Sequence, residues 1–238
     1  MGLDQLYEFL NHHWGDSSDA TKRQRAAVLR SFFAWAVDAG HTDKDPTSRL
    51  KTPKPPQPLR LAHELEAIKL LASAGNVRDE AAVLLMGRLA FRKSDVRLLQ
   101  ARDVDLAHDL IHIRKGKGGK PASMPIEFED VREALSLWLA LVSEPREYLL
   151  HPRHNRLIPL EASSMQRWWA RLFERVGETY FPMHELRHSA LDRLWRKTGN
   201  LEIVRQFARH ESIKTTQAYL YPTDDDLRQA MRASDLKE

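Results

Sequence analysis

Two stretches near the C-terminus gather side chains able to do acid, base and nucleophilic chemistry. They are PMHELRHSALDRLW (182–195) and FARHESIKTTQAYLY (207–221). Between them they hold His184, Arg187, His188, His210, Tyr219 and Tyr221. A guanidinium is permanently charged, and its planar fork matches two oxygens of a phosphate. Imidazole moves protons near neutrality. A tyrosine hydroxyl ionises only at a pH of about 10, so it attacks at neutral pH only beside a base or in a strong positive field. Upstream, Arg92 opens RKSDVR, and Lys117 sits in Lys115-Gly116-Lys117-Gly118-Gly119-Lys120, a turn free enough to carry a proton donor to a substrate. Taken singly, each has an ordinary reading as a salt-bridge, turn or core residue.

The elements that must position these groups are mostly helical. Residues 3–12 form one short helix. Ser17 or Ser18 caps a second, with Val28, Leu29, Phe32, Phe33, Trp35 and Ala36 as its apolar stripe. Gly40 ends it, and Asp45-Pro46 breaks the pattern. KTPKPPQPLR (51–60) carries four prolines, which no helix survives, so a domain boundary falls there. Helices are then expected over 62–73, 78–89 and 93–101. Short strands follow over 103–106, 110–114 and 122–126, the last two joined by the glycine-rich turn. Further helices are expected over 127–142, 162–177, 184–198, 200–209, 213–221 and 225–234. The predicted class is α+β: mainly helical, with one small antiparallel sheet.

The 238 residues include no cysteine, which excludes disulfides and thiolate metal sites. No apolar run is long enough to span a bilayer, and the N-terminus lacks the order of a signal peptide, so a cytoplasmic location without membrane attachment is expected. Net charge is +4. The distribution of charge says more than the total. Lys22, Arg23 and Arg25 cluster early; Lys51, Lys54 and Arg60 flank the prolines; Arg114, Lys115, Lys117 and Lys120 crowd one loop. Such clusters are relieved by a phosphate backbone between them or, more plainly, by water.

With these residues in view, the chain resembles the tyrosine recombinase (phage integrase) family. That family carries His-x-x-Arg-His at a helix start, matched by His184, Arg187 and His188. A second histidine follows, matched by His210, and the nucleophilic tyrosine stands nine residues later, at Tyr219. Tyr221 competes by type but not by spacing. Upstream, Leu89-Ala90-Phe91-Arg92 matches the family's Thr-Gly-Leu-Arg, with Asp95 at the acidic position. Gly116-Lys117-Gly118 and Met124-Pro125-Ile126 match the lysine turn and the strand after it. The match covers roughly residues 60–222, and 3–52 loosely. It departs at Ala90 and Arg209, where the family has glycine, and at Asp95, where it has glutamate.

The resemblance implies a site-specific recombinase that cuts and rejoins double-stranded DNA through a 3′-phosphotyrosine, with no cofactor and no metal. Arg92 and Arg187 would bind the phosphate, and His184 would accept the tyrosine proton. His210 would donate to a phosphate oxygen, and Lys117 would protonate the leaving 5′-oxygen. Asp95 and His188 would support them. Lys22, Arg23, Arg25, Lys115 and Lys120 would contact DNA, and Arg209 could touch phosphate. Residues 1–52 would be a shortened helical core-binding domain, 53–60 a linker and 61–238 the catalytic domain. Four protomers would act on two DNA sites, with 223–238 docking on a neighbour and an accessory factor setting direction. A phage or prophage integrase is expected, because the first domain is short. The alternatives are an Xer-type resolvase, a mobile-element recombinase, or a non-catalytic DNA-binding relic suggested by Ala90 and Arg209.

One rival is a literal match. His184-Glu185-Leu186-Arg187-His188 is also His-Glu-x-x-His, the zinc metalloprotease pattern. It needs a third ligand, for which Glu202 is the candidate. Pro182 puts His184 in the first helical turn rather than mid-helix, and this reading leaves Arg92, Lys117 and Tyr219 without a role.

Overall fold

The computed structural model describes residues 3–52, 62–114, 121–217, 228 and 231–232. The chain divides into two compact units, 1–59 and 60–238. The proline-rich 53–60, the turn holding Lys115, Lys117 and Lys120, the nucleophile candidates Tyr219 and Tyr221, and most of the tail lie outside the described residues.

In the first unit, α1 (Leu3–Trp14) is followed by α2 (Asp19–Asp38). The N-cap of α2 is Ser18, whose side chain accepts from the Thr21 backbone N–H. Leu6, Ala26 and Leu50 are its buried apolar centre. The expected α2 stripe is only partly used. Ala36 is buried, but Val28, Phe32 and Trp35 are 65, 52 and 54% exposed. Within this unit two helices and a short return segment offer too little surface to cover a stripe that wide.

The second unit is built around α4 (Val77–Gly87), which is buried from Ala81 to Gly87. It packs against α3 (Leu65–Ser73), α6 (Glu129–Leu139) and α8 (His184–Thr198). A run of small and apolar residues on every face is what a central helix requires. Gly87 lets α3 cross closely, since a Cβ there would lie 2.6 Å from Ile68 Cγ2. Asn76 and Asp79 form a capping box at its start.

The sheet is antiparallel in the order β1-β2-β3: β1 (Val104–Asp105), β2 (Leu110–Ile113) and β3 (Ala122–Pro125). β2 pairs with β3 from Leu110↔Pro125 to Ile113↔Ala122, and the lysine turn expected between them lies outside the described residues. The helix expected over 93–101 is shorter. Here α5 (Lys93–Leu98) stops because Gln100 pairs with Tyr148 and Leu99 O accepts from Leu149 N–H. The last elements are α7 (Ala162–Val176), α9 (Leu201–Ala208) and α10 (Ile213–Gln217). Among the described residues, no helix is long and apolar enough to cross a membrane.

Candidate functional site

Two turns in the left-handed backbone region frame the site. Ala90 has φ 54° and Arg209 has φ 53°. For a residue with a Cβ this conformation costs roughly 1–2 kcal/mol, so glycine would be the unstrained choice at both. Each turn closes a helix. Phe91 N–H bonds Leu85 O after α4, and His210 N–H bonds Arg205 O after α9. The geometry that glycine usually supplies is therefore kept without it.

Arg187, three residues into α8 and 5% exposed, lies between these turns. One guanidinium nitrogen donates to Ala90 O and the other to Ala208 O. The second also lies 3.0 Å from His210 Nε2. Since arginine can only donate, that imidazole nitrogen accepts, and Nδ1 carries the proton toward Thr216 Oγ1 at 2.9 Å. Arg92 reaches the same place from α5, where it is the N-cap residue. Its NH2 donates to Arg209 O at 2.9 Å and to Ala208 O at 3.3 Å. The two arginines thus share one carbonyl oxygen, although 94 residues of chain separate them.

Asp95 is buried and holds the third guanidinium. Its Oδ2 accepts from Arg92 N at 3.1 Å and from Arg209 NH2 at 2.8 Å, and lies 3.9 Å from Arg92 NH1. Arg209 also lies over the Phe91 ring, 4.8 Å from its centroid. Burial lowers its pKa from the ordinary arginine value, Asp95 partly opposing the shift. Arg209 therefore faces inward, and the expectation that it touches phosphate is corrected. Three guanidiniums against one carboxylate leave a local positive excess suited to an anion.

Of the other expected site residues, His184 is the exposed first residue of α8, one turn before Arg187 and on the same side. His188 is buried in the same helix. Lys22, Arg23 and Arg25 belong to α2 of the first unit. There Arg25 donates to Ser17 Oγ and lies over Trp14, and Arg23 donates to Asp19 O. Arg114, at the mouth of the hairpin, is tied to the buried Asp103 at 2.8 Å. Lys115, Lys117, Lys120 and Tyr219 lie outside the described residues, but Thr216, three positions before Tyr219, is buried and held by His210.

The zinc reading has its carboxylates engaged elsewhere. Glu185 Oε2 is 2.6 Å from His63 Nε2, and the His63 ring stacks on Phe181 at 3.6 Å. Glu202, the imagined third ligand, is bonded by Arg205 and Gln206, and the Arg205 bonds hold its pKa at about 2. Arg205 in turn donates to His210 O at 2.7 Å, so Glu202 braces the site through Arg205.

A second basic feature escaped the sequence reading. Arg78, Arg153, Arg167, Arg171 and Arg175 line one cleft of about 330 Å³ beside His151 and Trp168. Its carboxylate, Asp79, is occupied by Trp168 Nε1 at 2.7 Å and the Asn76 N–H at 3.1 Å, with Arg175 at 3.9 Å. Among the described residues, Arg153, Arg167 and Arg171 have no carboxylate partner. The signal was present as arginines spaced by four on α7, opposite the buried Met165, Trp169, Leu172 and Phe173.

The sequence profile of the phage integrase family matches residues 58–225. The tyrosine recombinase XerA of Thermococcus kodakarensis is 32% identical over 216 residues, covering 89% of this chain and 74% of the relative. The tyrosine recombinase XerC of a Mycobacterium species is 30% identical over 229 residues, covering 87% and 74%. In fold, the chain is similar to XerH bound to a palindromic difH substrate, with TM-score 0.75, 19% identity and coverage of 100% and 73%. It is also similar to the Tn1549 transposon integrase in complex with circular intermediate DNA, with TM-score 0.73, 18% identity and coverage of 97% and 85%.

Proposed function

This chain is a tyrosine recombinase of the phage integrase family, and from that premise we propose that it cuts and rejoins double-stranded DNA through a 3′-phosphotyrosine on Tyr219. The observation that carries the reading is the meeting of Arg92 and Arg187 on the Ala208 carbonyl, beside His210. Guanidiniums held in place by protein carbonyls need little reorganisation when charge develops on a phosphate, and this is the arrangement that stabilises a pentavalent transition state.

The Tyr219 oxygen attacks the scissile phosphorus and the bond to the 5′-oxygen breaks. His184 accepts the phenolic proton, and Lys117 gives a proton to the departing 5′-oxygen. Arg92 and Arg187 hold the non-bridging oxygens. His210 joins them when the Arg187 donor it now accepts turns to phosphate and the ring presents an N–H. The phosphodiester energy is kept in the tyrosyl ester, so a 5′-hydroxyl of another strand reverses the step. Asp95 and His188 support the cluster from behind. Residues 1–52 and 61–238, joined by 53–60, act as core-binding and catalytic domains. Lys22, Arg23, Arg25, Lys115 and Lys120, with the α7 cleft, meet the DNA backbone. Four protomers exchange strands between two sites, with 223–238 passed to a neighbour and an accessory factor setting direction.

Integration of phage DNA is the role we favour. Chromosome-dimer resolution is the second reading, supported by the XerA and XerC names of the relatives. A nicked suicide duplex carrying the target site tests the chemistry. A covalent adduct is expected from the unaltered chain and none from Tyr219→Phe. Binding without adduct would leave the relic reading in its place. Sequencing of recombinant junctions separates the roles, since integration joins two different replicons and resolution joins two copies of one site.

A further inference from the structure

The departures at Asp95 and Arg209 touch one another, and together they enclose Arg92. The side chain of Arg209 donates to Asp95 Oδ2 at 2.8 Å. The same oxygen accepts the Arg92 backbone N–H at 3.1 Å. The backbone carbonyl of Arg209 accepts Arg92 NH2 at 2.9 Å. Residue 209 therefore grips Arg92 twice, once directly by its carbonyl and once through the carboxylate. Its left-handed backbone makes both grips possible from a single position.

The distance that matters is the 3.9 Å between Asp95 Oδ2 and Arg92 NH1. It is too long for a hydrogen bond and short enough for a small rotation to make one. A buried carboxylate seeks a charged partner. Arg209 is that partner now, packed against the Phe91 ring with its Nε and NH1 buried and without hydrogen bonds among the described residues. Without Arg209, Asp95 would turn to the nearest remaining guanidinium. That group is Arg92, and a guanidinium paired with a carboxylate is lost to phosphate.

We propose that Arg209 is a positioning residue, which occupies Asp95 so that this carboxylate caps the backbone of Arg92 and leaves the Arg92 guanidinium for the scissile phosphate. This rests on the recombinase reading above. The arginine at a position suited to glycine and the short acid at 95 are then one compensated change rather than two defects.

The test is single-turnover cleavage of the suicide duplex, with DNA affinity and thermal midpoint measured on the same preparations. Arg209→Gly suits the left-handed backbone and keeps the turn. It should cut about 100-fold more slowly, the cost of a misplaced catalytic group, with DNA affinity changed less than about threefold. Asp95→Asn/Arg209→Gly removes the competing charge and should recover most of that rate. A structural role alone would move midpoint, binding and rate together, and the second substitution would then make matters worse. Adduct from the unaltered chain with a full rate for Arg209→Gly, or with no recovery in the double variant, overturns the inference while leaving the recombinase reading intact. No adduct from the unaltered chain overturns both.

Discussion

Two basic regions of the second unit are built in opposite ways. Around Arg187, guanidiniums are buried or half-buried and fixed by the carbonyls of Ala90, Ala208 and Arg209, with His210 against them. Along α7, Arg167 and Arg171 point outward from exposed positions with no carboxylate partner among the described residues. The first arrangement has its cost in folding, in two left-handed turns and a desolvated Arg209, and returns rigidity at fixed points. The second leaves its side chains in solvent, where charge can meet a polyanion by releasing small ions. Charge held by carbonyls suits a transition state, and solvated charge suits a backbone met in many registers. The number of arginines says little about role, whereas what their N–H groups already hold says much.

Arg187→Lys should have the largest effect. An ammonium cannot bridge Ala90 O, Ala208 O and His210 at once, so cleavage should fall by roughly 100- to 1000-fold. Duplex affinity should move only a few-fold; a loss of binding as large as the loss of rate would erase the distinction between the regions.

Next in size is Arg167→Ala/Arg171→Ala. If each arginine neutralises one phosphate, the slope of log affinity against log salt should become shallower by about 1.8. Cleavage at saturating protein should stay near that of the unaltered chain. A salt titration by fluorescence anisotropy measures the slope, and an unchanged slope would remove the cleft from the DNA contacts.

A smaller effect concerns His151, which lies in that cleft against Arg78. Burial, with Arg78 and Arg156 adding to it, holds its pKa below the usual histidine value. Above pH about 6.5 neither folded nor unfolded chain protonates it, and its contribution to stability is complete. As pH falls below that value the unfolded chain takes up a proton that the folded one resists, so stability declines. Urea midpoints at neutral and mildly acidic pH should therefore diverge less in His151→Gln than in the unaltered chain. Equal divergence in both would place the pH sensitivity elsewhere.

The smallest is Ala90→Gly. Relief of the left-handed backbone is worth roughly 1–2 kcal/mol, and loss of one buried methyl costs about 0.8. The net should be a gain between zero and about 1 kcal/mol by chemical denaturation, with cleavage unchanged. A clear destabilisation would mean that packing against Ala190, Leu191, Val204 and Ala208 dominates at this turn.

Much of the helical order was legible in residue spacing. The start and end of α8, the Ser18 cap and the antiparallel pairing of β2 with β3 follow from local rules and lie close to where they were expected. The α2 stripe is not legible as a half-exposed face, because periodicity marks an apolar face without saying what covers it. The end of α5 is not legible either, because the pairing of Gln100 with Tyr148 is remote in sequence. The α7 arginines carry no local mark, since a solvated helix face and a binding face read alike until a cleft forms beside one of them.

By itself the sequence determined which side chains exist to handle a phosphate, their order along the chain, and the helices and hairpin that carry them, because such choices depend on neighbours a few residues apart. The tertiary structure alone decided that Arg92 and Arg187 share a carbonyl, that Asp95 is held by Arg209, and that Glu185 and Glu202 are spoken for by His63 and Arg205. Hydrogen bonds between distant segments exist only once burial has brought those segments together, and no local pattern encodes which donor will find which acceptor.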